Sequence, residues 1–162
     1  MQGKAILICG KICSGKSWYT EQLMSRKNAV MLSCDELVFA LFDGDLGEKH
    51  DDMTARIKAY FYRKSIEILE SGTDVILEWG FWKKEWRDEA RRFYEKHGIT
   101  SEFHYIDISE EDWQRNIEMR NEAVLSGESG AYYLDDGLMK KLESLFEKPE
   151  RDEMDVWYYN KR

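Results

Sequence analysis

Short unbroken apolar runs alternate along the chain with segments whose apolar residues recur every three or four positions. The runs are Ala5–Cys9, Val30–Cys34, Asp74–Leu77 and Phe103–Ile108, with Asp155–Tyr159 as a fifth. Continuous hydrophobicity over so few residues marks strands covered on both faces, as in a parallel sheet. The periodic segments predict helices over about 16–25 and 53–69, the latter with Ala55, Ala59, Tyr62, Ile66 and Leu69 on one stripe and Gly72 as a stop. Trp86, Ala90, Phe93 and His97 form a further stripe ended by Gly98, and Leu138, Leu142 and Leu145 a last one closed before Pro149. Ser109 with Asp112 reads as a capping box opening a helix through Trp113, Ile117 and Val124. Strands alternating with helices give an α/β fold with helices on both faces of the sheet.

Two Gly-rich acidic stretches interrupt the alternation. Asp43–Asp52 is expected to be a surface loop, and Ser126–Gly130 a hinge for a lid. At 162 residues the chain is expected to be one domain, 1–162, with a core that 43% hydrophobic content can fill. The formal net charge of −8 argues against general affinity for nucleic-acid backbones. No run approaches the ~20 apolar residues needed to cross a bilayer, and the N-terminal run lacks the form of a signal peptide. Cys9, Cys13 and Cys34 are an odd set without a CxxC pair, expected to be reduced packing residues of a cytoplasmic protein.

The chemistry begins at Gly10-Lys11-Ile12-Cys13-Ser14-Gly15-Lys16-Ser17, a complete G-x-x-x-x-G-K-[ST] motif between the first strand and the first helix. Gly10 and Gly15 permit backbone angles that turn successive N–H groups inward around an anion. The helix start adds its positive end. Lys16 is a point charge able to reach β- and γ-phosphates, and Ser17 offers a hard oxygen to Mg²⁺. The expected ligands are therefore a nucleoside triphosphate, ATP, and Mg²⁺.

Acids at the carboxyl ends of strands should lie beside that loop. Asp35, in Ser33-Cys34-Asp35-Glu36-Leu37, is expected to take a hydroxyl proton or help hold Mg²⁺, and can equally serve as a helix cap. Glu78, closing Val75-Ile76-Leu77-Glu78, is expected on the metal side, with Asp107 as a rival. Phosphoryl transfer also needs a cation over the transferring group. Arg115 and Arg120 diverge by about 140° on their helix, so only one can face the loop. Arg120, nearer the Gly-rich segment, is the favoured one. Arg56, Tyr60 and Arg63 share a stripe that could bind an acidic substrate, although a plain charged surface is the favoured reading, and Trp79-Gly80-Phe81-Trp82 reads as either an acceptor-pocket wall or core.

Together these residues resemble the P-loop kinase-like ATP-binding proteins grouped with zeta toxins, chloramphenicol phosphotransferase and polynucleotide 5′-hydroxyl kinase. The resemblance rests on Gly10–Ser17, Ser33–Leu37, Val75–Phe81, the Arg115–Asn121 helix and Leu145–Pro149. It implies a P-loop NTPase-type, doubly wound, mainly parallel five-stranded sheet of order 2-3-1-4-5 with a small helical lid at about 113–134. It also implies Asp35 as the acceptor-activating carboxylate and Arg120 as the lid arginine. The expected activity is transfer of the γ-phosphate to a hydroxyl of a small-molecule acceptor. A nucleotide-dependent switch without acceptor and a polynucleotide 5′-hydroxyl kinase are the alternatives. Against the last, polynucleotide kinases carry an arginine three residues beyond the acid, where this chain has Val38. Glu78 stands where the family usually has Asp.

Overall fold

The computed structural model describes residues 1–43 and 46–162. Strands β1 (Ala5–Cys9), β2 (Ala29–Leu32), β3 (Asp74–Gly80), β4 (Ser101–Ile108) and β5 (Val156–Asn160) form one sheet of order β2-β3-β1-β4-β5, every pairing parallel. This is the order the family resemblance implies. The helices are α1 (Lys16–Met24), α2 (Cys34–Phe42), α3 (His50–Glu70), α4 (Lys84–Lys96), α5 (Glu110–Leu125) and α6 (Asp136–Leu145).

β1 is completely buried, and its alternate residues serve different layers. Ala5, Leu7 and Cys9 face a cluster built with Leu69 of α3 and with Ala90 and Tyr94 of α4. Ile6 and Ile8 face the opposite side, where Tyr19 and Leu23 of α1 pack. Two-sided burial is why the run reads as unbroken hydrophobicity. Burial pushes the Cys9 and Cys34 thiols up to about 12, in keeping with packing rather than reactivity.

Several boundaries depart from the sequence reading; β3, for one, runs on to Gly80, past the expected end at Leu77. The second strand stops at Leu32, and Ser33 rather than Asp35 caps the helix that follows, its hydroxyl accepting from the Glu36 amide. Asp35 therefore lies in the first turn of α2, not at a strand end. The expected loop at 43–52 is shorter: a 3₁₀ turn spans Gly47–Lys49 and α3 begins at His50, while Gly44 and Asp45 lie outside the described residues. In the Gly-rich segment after α5, Gly127 adopts φ 77°, and the Glu128 and Ser129 amides return to Ala123 O. That is a left-handed helix stop. No helix among the described residues is long and apolar enough to cross a membrane.

Arg87 of α4 is only 1% exposed and clamps the segments that follow β3 and α6. Its Nη1 donates to Phe81 O (3.0 Å), Trp82 O (3.2 Å) and Glu147 O (3.1 Å), and Nε donates to Glu153 Oε1 (3.1 Å). Removing the guanidinium strands Glu153 and three carbonyls. Arg87→Met should cost about 3–5 kcal/mol, read as a fall of roughly 10 °C in the melting midpoint. A midpoint within two degrees of wild type would show the clamp to be dispensable.

Candidate functional site at the carboxyl edge of the sheet

β1 delivers the chain into Gly10–Ser17 at the sheet's carboxyl edge. Gly15 has φ 98°, a left-handed geometry that side chains resist, and a β-carbon there would run into the Asn160 amide. A β-carbon at Gly10 would lie 2.7 Å from Ser14 Oγ. Cys13 takes φ 58° without being glycine. Among the described residues, the amides of Ile12, Cys13 and Gly15 have no protein acceptor. Unpaired amides around a tight turn at a helix start form an anion-binding concavity. Lys16 Nζ donates to Lys11 O at 2.8 Å across it.

The loop's carbonyls are tied from outside by four side chains that sequence reasoning did not assign. Trp82 Nε1 donates to Gly10 O (3.0 Å), Trp113 Nε1 to Ile12 O (2.6 Å), Asn116 Nδ2 to Cys13 O (3.1 Å) and Asn160 Nδ2 to Ser14 O (2.9 Å). With carbonyls held outward, the amides are free to face inward. Asn116 precedes Arg120 by four residues and so shares its helix face, a signal present in the sequence. Asn160 carried none. Lys11 lies 3.6 Å from the centre of the Trp113 ring and pairs with Glu110.

Lys16 and Glu78 each feel the other's charge and that of Asp35. Burial pushes the Lys16 ammonium down, while Glu78 and, more weakly, Asp35 pull it back up. Burial raises Glu78; Lys16 opposes that rise, Asp35 adds to it, and a hydrogen bond from Ser33 opposes it. A cation placed between Glu78 and Asp35 would relieve their repulsion. No three His, Cys, Asp or Glu side chains among the described residues gather into a cage. Mg²⁺ keeps water and phosphate oxygens and takes few protein ligands. Ser17, Asp35 and Glu78 are the residues that could hold it. Asp107 is engaged elsewhere, accepting from Trp157 Nε1 (3.1 Å) and the Ile108 amide (3.0 Å) and facing Lys148.

The two arginines separate as their helical spacing requires. Arg115 pairs with Asp112 one turn away on the surface. Arg120 turns to the loop, with Nη1 4.0 Å from Cys13 Sγ and Nε donating to Tyr132 O at 3.3 Å. Tyr132 in turn meets Phe39 of α2 at 6.5 Å between ring centres, so the segment after α5 reaches across toward Asp35's helix. Of the aromatic stretch Trp79–Trp82, which ends β3 and runs past it, Phe81 is core and Trp79 packs on Phe61 and Phe81. Trp82 instead lines a cavity of about 380 Å³ beside the loop, with Lys11, Ile12, Trp113, Leu142 and Phe146. Arg56, Tyr60 and Arg63 are exposed on α3.

A family model described as AAA domain matches residues 6–131. No curated protein matches the sequence significantly. Among solved structures, APS kinase CysC from Mycobacterium tuberculosis, in complex with AMPPNP and APS, is similar at 19% identity and a TM-score of 0.67, with 99% of this chain and 90% of that one covered. A gluconokinase from Sinorhizobium meliloti 1021 is similar at 17% identity and a TM-score of 0.64, with 98% and 83% covered. A chain of the Pnkp1/Rnl/Hen1 RNA repair complex aligns at 18% identity and a TM-score of 0.71; 89% of this chain is covered but only 44% of that one, so this chain spans less than half its length. At such identities the solved structures speak for the fold, and the family model for kinship. The chain belongs to the AAA domain family and has a P-loop NTPase-type α/β fold.

Proposed function

We propose that the protein transfers the γ-phosphate of ATP to a hydroxyl of a small-molecule acceptor, with Mg²⁺ held through Ser17, Asp35 and Glu78. The supporting observation is the convergence, at one loop mouth, of an anion-binding turn, an ammonium, two coupled carboxylates and an arginine. On this reading the Gly10–Ser17 amides bind the phosphates and Lys16 neutralises charge growing on the transferring oxygens. Asp35 draws the proton from the acceptor hydroxyl as its oxygen attacks phosphorus in line with the departing ADP. Arg120, carried on a lid of about residues 113–134, stabilises the equatorial oxygens. Ser17, Asp35 and Glu78 would hold Mg²⁺, which when bound would offset phosphate charge.

Val38 supports a small acceptor over a polynucleotide 5′-end: it is 3% exposed and packs with Ile57 and Phe61, so that position contributes to the core. The acidic net charge points the same way. The free cysteines, with Cys9 and Cys34 buried, support a cytoplasmic setting.

The test is ATP consumption against a panel of hydroxyl compounds. Asp35→Asn should lower acceptor-dependent turnover about a hundredfold, within the range general-base removal produces. Undiminished turnover in that variant would remove Asp35 from the reaction, and failure of every hydroxyl compound to stimulate ATP use would favour a switch.

A further inference from the structure

Lysine and arginine side chains that are not fully exposed divide into two groups. Most pair with a carboxylate, as Lys4, Lys11, Lys64, Arg87 and Arg91 do. Four do not: Lys16, Lys58, Lys83 and Arg120. Two of these, Lys16 and Arg120, lie at the phosphate loop. In a chain with 32 acids and 24 bases, half-buried cations without acidic partners are against expectation. At the loop the proposed function supplies a reason, a bound anion. Lys58 and Lys83 need one too.

These two come from separate elements to the same ring. Lys58 of α3 has Nζ 5.1 Å from the centre of the Trp86 indole, and Lys83, preceding α4, has its Nζ 5.5 Å from it. Lys58 is also 6.0 Å from the Trp79 ring, next in the chain to Glu78. A ring face attracts an ammonium and fixes its position but does not neutralise it. Neither ammonium makes a hydrogen bond or ion pair among the described residues. Burial lowers the Lys58 pKa, and the groups whose fields it feels are Cys34 and Asp35. Lys58 therefore stands near the first turn of α2, and Lys83 follows the end of β3 by three residues, with the Trp86 ring common to both.

Two like charges held near one indole are stable together when an anion sits between them. We propose that Lys58 and Lys83, positioned on Trp86, bind a carboxylate, sulfate or phosphate group of the acceptor while its hydroxyl faces Asp35. This rests on the kinase reading above and adds the substrate class, a hydroxyl compound bearing an anion. Trp79 and Trp86 provide an apolar wall for the part of the molecule between the two groups.

Two measurements test it. With the loop saturated by a non-hydrolysable ATP analogue and Mg²⁺, inorganic sulfate is titrated while tryptophan emission is followed, with chloride at equal ionic strength as reference. Sulfate should give a saturable change. Its apparent Kd should rise about tenfold in Lys58→Met or Lys83→Met, the loss expected for one charged contact, and stay near wild type in Lys58→Arg. A chloride response equal to sulfate, or variants that respond as wild type, would overturn the proposal. Failure of the analogue to bind would instead sink the nucleotide reading. In the second measurement, matched acceptors such as glycerol with glycerate and ribose with ribose 5-phosphate are compared for phosphate transfer. Lys58→Met should raise the KM of the charged member at least about tenfold more than that of its neutral twin. Equal effects on both members would refute anion recognition.

Discussion

Replacing Lys16 by methionine should lower phosphoryl transfer about a thousandfold, or roughly 4 kcal/mol of barrier, while leaving the protein folded. The argument for so large an effect is the environment of the ammonium. It lies inside the loop, where burial already works against its charge and Glu78 and Asp35 partly restore it. A charge in such a setting acts on a developing phosphate charge with little screening by water. Because Lys16 also offsets the charge of Glu78, the variant should lose some stability yet remain folded at assay temperature. Transfer assays with a circular-dichroism melt distinguish the two. Activity within tenfold of wild type in a folded Lys16→Met protein would show that the charge does not act on the reaction.

Arg120 carries the second large expectation. On the proposed mechanism Arg120→Ala should cost about a thousandfold in turnover, at the lower end of what an arginine over a transferring phosphoryl group supplies. Lysine in its place should recover little, because a point charge does not reproduce the planar fork. Arg115→Ala is the matched control: same helix, same charge, but paired with Asp112 on the surface. It should turn over like wild type. Equal losses in the two variants would mean that general helix charge, not position beside Cys13, matters.

The strand set and the phosphate loop were legible because both are written in local patterns. β1 is buried on both faces and so is uniformly apolar, and the loop needs fixed residue types at fixed spacing. The start of α2 was misread for a related reason. Leu32-Ser33-Cys34 continues an apolar run, and the signal that breaks it, a hydroxyl capping the Glu36 amide, is a single hydrogen bond. The choice between Arg115 and Arg120 could be framed from helix geometry, yet the partners that separate them, Asp112 and Cys13, appear only in three dimensions. The outward ties from Trp82, Trp113 and Asn160 left no trace, since each is one side chain meeting a carbonyl far away in sequence.

The tie from Asn160 to Ser14 joins residues 146 positions apart. The motif near the start of the chain is thus not an autonomous anion trap; its curvature is completed by the final strand. A bound nucleotide should reach back along this link, slowing hydrogen exchange throughout β5 as well as in the loop. Conversely, fraying of that edge strand would loosen the grip on phosphate, so the outermost strand of the sheet helps govern the innermost chemistry.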